Sequence, residues 1–153
     1  MKVNDRAPGF LLPDENDRQV ALQDYAGRYV VLYFFPKADT PGCTLEACGF
    51  RDSYARIQRA GAVVLGISAD TPEKQLEFQK KYNLPFSLLS DRKGIVCRAY
   101  GVLRGGSASG TTSTSIERTT FVIGRDGRIV KIFPKVKPQG HAEEVWIALQ
   151  TGR

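Results

Sequence analysis

The sequence lacks a long apolar segment, an apolar leader and a dense stripe of basic residues. No stretch approaches the ~20 apolar residues of a membrane-spanning helix. The first residues, Met1 to Arg6, contain no apolar core of the kind that a secretory signal carries. We therefore expect no membrane segment and a cytoplasmic location. The net charge is +6, but acidic residues interleave with the basic ones, so we expect an ordinary solvated surface and no nucleic-acid partner.

Cysteine is scarce too, since the chain has only Cys43, Cys48 and Cys97. An odd number of cysteines without a signal peptide argues against a secreted disulfide framework. In a reducing compartment, a close pair such as Cys43 and Cys48 is more often catalytic or metal-binding than structural. The 153 residues, 42% of them hydrophobic, are expected to form one domain spanning 1–153.

Apolar, β-branched runs alternate with helical patterns along the chain. The patterns predict strands at 30–35, 62–68, 86–90, 119–123 and 128–133, and helices at 43–59, 72–82, 91–100 and 141–150. This order predicts an α/β fold in which a central mixed β-sheet is flanked by helices on both faces. The first ~25 residues are expected to form an N-terminal extension, irregular or hairpin-like.

The segment from Arg104 to Ser115 is rich in glycine, serine and threonine and has no apolar anchor. It is predicted to be a mobile loop. Two roles stay open for it, a simple connection or a lid or docking surface beside the functional site.

The most informative segment runs from Thr40 to Cys48, directly after the apolar strand at 30–35. The pattern predicts a strand, a short turn and a helix that starts near Cys43. A cysteine there lies in the positive field of the helix N-terminus, beside unpaired backbone N–H groups, and this environment favours the reactive thiolate. Cys48 suggests that Cys43 forms an oxidised intermediate that a second thiol captures.

Helix geometry limits how this pair can react. Five residues of helix rise ~7.5 Å and separate the two Cα atoms by roughly 8–9 Å. A disulfide joins Cα atoms that are at most about 7 Å apart. Cys43 and Cys48 therefore cannot bridge in an intact helix, and a disulfide between them requires the first turns to unwind. Two other interpretations stay open: a zinc site using all three cysteines and His141, or inert buried thiols.

Two neighbours of Cys43 are candidate site residues. Thr40 precedes it by three residues, and its hydroxyl can contact a thiolate or a substrate, or cap the helix. Pro36 ends the strand and either shields the thiolate from water or simply terminates the strand.

The run from Pro36 to Cys43 resembles the peroxiredoxin signature P-x-x-x-T-x-x-C. The continuation Thr44 to Cys48 resembles the bacterioferritin comigratory protein branch, also called Q-type peroxiredoxins. The resemblance extends to segments 10–14, 64–68, 117–123 and 140–145. It implies a thioredoxin-like fold and thiol-dependent reduction of hydrogen peroxide and organic hydroperoxides, without a metal or organic cofactor.

Carried over position by position, the resemblance implies that Cys43 is the peroxidatic cysteine and Cys48 the resolving one. Thr40 and Arg118 would orient the peroxide and stabilise the thiolate, and Pro36 would close the pocket. Thioredoxin or a glutaredoxin-like dithiol would reduce the disulfide, and the branch implies a monomer. Cys97 is expected to be a bystander thiol.

The sequence is also compared with two other functional classes, a disulfide oxidoreductase and a redox-dependent binding protein. A thioredoxin-like disulfide oxidoreductase usually carries C-x-x-C, whereas this chain has four residues between Cys43 and Cys48. A redox sensor or chaperone-like binding protein would change its partner affinity on oxidation. Peroxide turnover with a dithiol separates the peroxidase from both.

Overall fold

The computed structural model describes residues 1–105 and 114–151 of the chain. The first half contains β1 (Leu11–Pro13), β2 (Gln19–Ala21), a 3-10 helix (Leu22–Tyr25), β3 (Tyr29–Phe34), α1 (Pro41–Arg59), β4 (Ala62–Ser68) and α2 (Pro72–Tyr82). The second half contains β5 (Ser87–Ser90), α3 (Ile95–Ala99), β6 (Leu103–Gly105), β7 (Thr114–Ile116), β8 (Thr119–Ile123), β9 (Ile129–Phe133) and α4 (His141–Thr151).

Five strands form the central sheet in the order β5-β4-β3-β8-β9. β3 pairs in parallel with β4, and β4 with β5, while β8 and β9 join antiparallel. The apolar runs of β3 and β4 are buried almost throughout, as expected for strands covered on both faces. The predicted mixed sheet is confirmed.

Each face of the sheet has its own hydrophobic core. On one face, Cys43, Ala47 and Phe50 of α1 pack with side chains of α2 and α4. On the other face, α3 and the N-terminal segment pack against the alternate side chains of the same strands. Helices therefore cover both faces, as the alternation of elements predicts. Within the described ranges, no helix is both long and apolar enough to cross a bilayer.

The N-terminal extension is the antiparallel hairpin β1–β2. Its turn places the Glu15 carboxylate against the free edge of the sheet, where Oε1 accepts the Leu88 N–H at 2.9 Å. The extension therefore caps an edge-strand donor in addition to covering one core.

Two boundaries differ from the prediction because turns take residues from the predicted helices. α3 begins at Ile95 and not at Asp91, since the intervening turn ends at Gly94 with a positive φ of 72°. The Asp91 carboxylate still serves the helix, because it accepts the Cys97 N–H at 2.7 Å. α1 begins at Pro41, two residues before the predicted start at Cys43.

The predicted loop from Arg104 to Ser115 is wrong at both ends. Leu103–Gly105 pairs antiparallel with Thr114–Ile116, so strands β6 and β7 replace its flanks. The apolar anchors, Leu103 and Ile116, lie just outside the glycine-rich stretch and pack on the core. The remainder of that predicted loop, 106–113, lies outside the described residues.

Candidate active site

Cys43 lies in the first turn of α1, directly after the central strand β3. It is 1% exposed and belongs to the core between α1 and the sheet. The first helical hydrogen bond runs from the Thr44 N–H to the Thr40 carbonyl at 2.8 Å. The N–H groups of Gly42 and Cys43 therefore have no acceptor within the helix, and they surround the thiol with partial positive charge.

Arg118 brings a full positive charge to the same thiol. Its Nη1 lies 3.5 Å from the Cys43 Sγ, although 75 residues separate the two in sequence. Arg118 precedes β8, and its carbonyl accepts the Val136 N–H at 2.8 Å, which fixes the backbone after β9 beside it. The structure thus brings together two of the residues that the sequence predicts for the site.

Glu46 is a site residue that the sequence analysis missed. It lies one turn after Cys43 and is 1% exposed, and its Oε1 accepts a hydrogen bond from Arg118 Nη1 at 2.8 Å. Burial raises the pKa of Glu46 to about 7, because desolvation outweighs the bond to Arg118. Burial lowers the pKa of Arg118, but the bond to Glu46 leaves a net increase, so the guanidinium stays charged.

The second carboxylate oxygen of Glu46 has no hydrogen-bond partner among the described residues, nor does the buried Tyr33 hydroxyl. An unpartnered buried oxygen is consistent with a carboxyl that takes up a proton near neutral pH. In the sequence, Glu46 is an acid three residues after a cysteine on the buried stripe of a helix. This spacing places both side chains on one side of the helix.

Gly42 lets the guanidinium approach. An ideal Cβ at this position would lie 3.0 Å from Arg118 Nη2 and 3.6 Å from Pro138 Cγ. The sequence pattern predicts a helix that starts near Cys43, after a short turn. In the structure, Pro41 and Gly42 are instead the first two residues of α1. The absence of a side chain at Gly42 therefore makes room for the Arg118 guanidinium and is not required by a turn.

Thr40 and Pro36 lie on the segment that joins β3 to α1. Thr40 occupies the N-cap position, but its hydroxyl makes no cap bond and donates to the Lys37 carbonyl at 2.8 Å. The lone pairs of its oxygen consequently remain able to accept a hydrogen bond. Pro36 is exposed at the exit of β3, and its role as a cover for the thiol stays a prediction.

Cys48 lies further along the same helix and is half-buried, and like the buried Cys43 it is a free thiol. Both cysteines are inside α1, which is continuous from Pro41 to Arg59. Five residues of helix therefore separate them by a rise of ~7.5 Å, and the two thiols cannot form a disulfide in this conformation.

Comparisons with known proteins show which family the chain belongs to. The AhpC/TSA family model matches residues 3–132. The putative peroxiredoxin bcp of Coxiella burnetii is 49% identical over 145 residues, covering 95% of this chain and 96% of that protein. The chain belongs to the Bcp/PrxQ-type peroxiredoxins.

Solved structures agree with this assignment. Peroxidoxin BcpB of Mycobacterium tuberculosis superposes with a TM-score of 0.92 at 35% identity, covering 100% of this chain and 99% of that one. The Xanthomonas campestris bacterioferritin comigratory protein, which reduces alkyl peroxides, gives 0.88 at 34% identity, with coverages of 94% and 92%. The predicted thioredoxin-like fold is confirmed, and the peroxiredoxin is a thiol-dependent peroxidase.

Cys97 of this peroxiredoxin belongs to the other core, so the sheet lies between it and Cys43. Its side chain is fully buried, and burial raises the pKa of its thiol, with the hydrogen bond to Asp91 adding to the increase. An inert thiol fits these surroundings. Across residues 1–105 and 114–151, no group of three or more potential ligands could hold a metal ion, so the zinc interpretation has no support there.

Proposed function

We propose that Cys43 is the peroxidatic cysteine of this peroxidase. The observation that carries the proposal is the Arg118 guanidinium 3.5 Å from a thiol at a helix N-terminus. The thiolate attacks the terminal oxygen of a hydroperoxide, so an S–O bond forms while the O–O bond breaks. The leaving alkoxide or hydroxide takes a proton from solvent water and departs as alcohol or water. Sulfur is oxidised to sulfenic acid, and the peroxide is reduced.

The neighbours of Cys43 stabilise this transition state. Arg118 and the free N–H groups of the first turn are positioned to favour negative charge on sulfur and on the leaving oxygen. Thr40 accepts a hydrogen bond from the peroxide O–H, since its own hydrogen is already donated to the Lys37 carbonyl. Pro36 limits the access of water to the reacting atoms.

Cys48 is proposed to resolve the sulfenic acid. Its thiol condenses with the Cys43 sulfenic acid to form a disulfide and water, after the first turns of α1 unwind. The helix must open because both residues lie inside it, too far apart to bond. Substrate reduction therefore uses the folded helix and resolution uses the opened one.

The oxidised enzyme is proposed to be reduced by thioredoxin or a glutaredoxin-like dithiol. Thiol–disulfide exchange through a mixed disulfide returns Cys43 and Cys48 to thiols and leaves the disulfide on the partner. The net charge of +6 favours an acidic reductant. We further propose that residues 1–153 act as one domain, as a monomer, in the cytoplasm.

Stopped-flow oxidation with hydrogen peroxide, followed by mass analysis, tests these roles. Cys43→Ser should abolish the fast reaction. Cys48→Ser should keep it and accumulate a product that has gained oxygen, whereas the wild type should lose two hydrogens. Cys97→Ser is the matched control and should behave as the wild type. Fast oxidation of Cys43→Ser, or an intramolecular disulfide in Cys48→Ser, would refute the assignment of the corresponding cysteine.

A further inference from the structure

A second concave site lies at the end of the sheet opposite to Cys43. It is a cavity of about 450 Å³ beside Val30, at the start of β3, and Ile123, at the end of β8. Cys43 follows the other end of β3, and a strand of this length spans about 20 Å. The cavity is therefore separate from the peroxide site.

Backbone hydrogen bonds hold the walls of this cavity in place. The Ala7 N–H donates to the Gly127 carbonyl at 2.9 Å, which fixes the N-terminal segment to the β8–β9 turn. The Gly27 N–H donates to the Arg125 carbonyl at 3.1 Å, which fixes the segment after the 3-10 helix to the same turn. The cavity is consequently preformed, as small-molecule sites usually are.

The floor of the cavity is apolar. Ala7, Val30 and Ile123 are buried members of the hydrophobic core, and Leu22 and Tyr25 pack against it while remaining partly exposed. A hydrocarbon chain or a ring in the cavity would remove this surface from water.

The rim of the cavity is cationic. Arg6 and Arg28 line it, and within the ranges that the structure describes neither of them forms an ion pair. The acid on the rim, Asp126, is engaged within its own turn, where Oδ1 accepts the Arg128 N–H at 3.1 Å.

The Arg28 guanidinium lies 6.0 Å from the centre of the Tyr25 ring, which also lines the cavity, whereas the Arg125 guanidinium lies 5.3 Å from the Tyr29 ring, on the side of the other core. An arginine beside a ring keeps its edge N–H donors free for a carboxylate or a phosphate.

We propose that this cavity binds a small amphipathic organic anion, which has an apolar chain or ring and one carboxylate or phosphate group. The apolar floor takes the body of the ligand, and Arg6 and Arg28 take its charge. The volume is within the range of small-molecule sites. The inference does not depend on the roles assigned to the cysteines, since no residue of the peroxide site lines the cavity.

Amide chemical shifts of the reduced, full-length protein provide the test. Octanoate and phenyl phosphate are the two probes, and they distinguish an acyl carboxylate from an aryl phosphate. At least one should cause saturable shifts at 22–28 and 123–127, with the amides around Cys43 unmoved. Inorganic phosphate and benzyl alcohol are the controls for charge alone and for apolar surface alone, and each should bind at least tenfold more weakly.

Charge reversal at the rim tests the same inference. Arg6→Glu with Arg28→Glu should weaken probe binding at least tenfold and leave the rate of peroxide oxidation unchanged. Arg59→Glu with Arg98→Glu reverses two exposed arginines outside the cavity and should bind as the wild type does. The spectra themselves report folding, and Arg28→Gln replaces the double variant if that variant is unfolded.

Three results would overturn the proposal. The first is no saturation by either probe up to about 10 mM, which is weaker than any specific site would give. The second is a control ligand that binds as tightly as the probes. The third is unchanged affinity in the rim variants.

Discussion

At the residue scale, the reactivity proposed for Cys43 depends on how closely Arg118 approaches the first turn of α1. Gly42→Ala tests this, because the added Cβ would lie 3.0 Å from Arg118 Nη2 and push the guanidinium aside. Displacement of a stabilising charge by a fraction of an ångström to an ångström costs about tenfold to a hundredfold in rate. We expect that loss in the second-order rate of Cys43 oxidation, measured by stopped flow.

Gly49→Ala is the matched control for this substitution. Gly49 lies in the same helix, and a Cβ there would make an ordinary 3.7 Å contact with Ala142 Cβ. Alanine also favours the helix by up to about 1 kcal/mol over glycine. The control should therefore keep the wild-type rate, and an equal rate in Gly42→Ala would contradict the proposed approach of Arg118.

Glu46 gives the protein a pH-dependent stability with a definite sign. Its pKa in the folded protein is about 7, above the ordinary value of 4.5. The stability that this group contributes is therefore present below about pH 4.5 and is lost as the pH rises through about 7. Relative to Glu46→Gln, the free energy of unfolding of the wild type should fall by up to about 3 kcal/mol over that interval.

Urea unfolding of both proteins at several pH values measures this difference. Burial lowers the pKa of His141, so its protonation destabilises the fold on the acid side. That effect is common to both proteins and cancels in the comparison. Parallel stability curves would show that Glu46 does not titrate near neutrality.

The sequence predicts Cys43 as the reactive residue but does not reveal all of its neighbours. Cys43, Cys48 and Thr40 fall within one recognisable motif, and the resemblance supplied Arg118. Glu46 was missed because its significance comes from Arg118, 72 residues away, and pairing across that distance is settled only by the packing of α1 on the sheet.

At the scale of elements, the end of α2 clamps the segment that carries Cys43. Asp39 accepts hydrogen bonds from Lys81 Nζ at 2.9 Å and from the Tyr82 hydroxyl at 2.8 Å. Beyond the two cysteines, Arg51 Nη1 donates to the Tyr82 carbonyl at 2.8 Å. The turns that the proposed resolution step opens are therefore tied to α2 on both sides.

Asp39→Asn should weaken this clamp while keeping the backbone, since asparagine also adopts the positive φ of 60° found there. We expect disulfide formation to accelerate only about two- to fivefold, because an exposed ion pair contributes little stability. Oxidation of Cys43 should be unchanged. Stopped-flow fluorescence separates the two phases. Asp17→Asn changes another exposed aspartate with a φ of 60°, outside α1 and α2, and is the control. Equal acceleration in both variants would argue against a clamp.

The observed boundaries of the elements match the predicted ones where the hydrophobic pattern is strong. They differ from the prediction where a turn sets the boundary. β4 matches its prediction residue for residue, because an apolar run of that length has one placement. Strands β6 and β7 were missed since each has three residues, too few for alternation to be visible, and their pairing depends on the anchors Leu103 and Ile116.

At the scale of the whole molecule, the N-terminal hairpin stabilises the sheet through Glu15. Glu15→Ala should leave the Leu88 N–H without its acceptor and lower the free energy of unfolding by about 1–3 kcal/mol. Glu15→Gln keeps a side-chain oxygen acceptor and should retain most of the stability. Chemical denaturation measures both variants, and equal losses would show that the acceptor does not matter.

The proposed mechanism requires one helix to serve two chemical states, folded for peroxide reduction and opened for resolution. Hydrogen–deuterium exchange of the reduced and the disulfide forms tests it most directly. We predict that amides from Thr44 to Arg51 lose protection in the disulfide form while β4 and α4 retain theirs. Equal protection of 44–51 in both forms would contradict the claim.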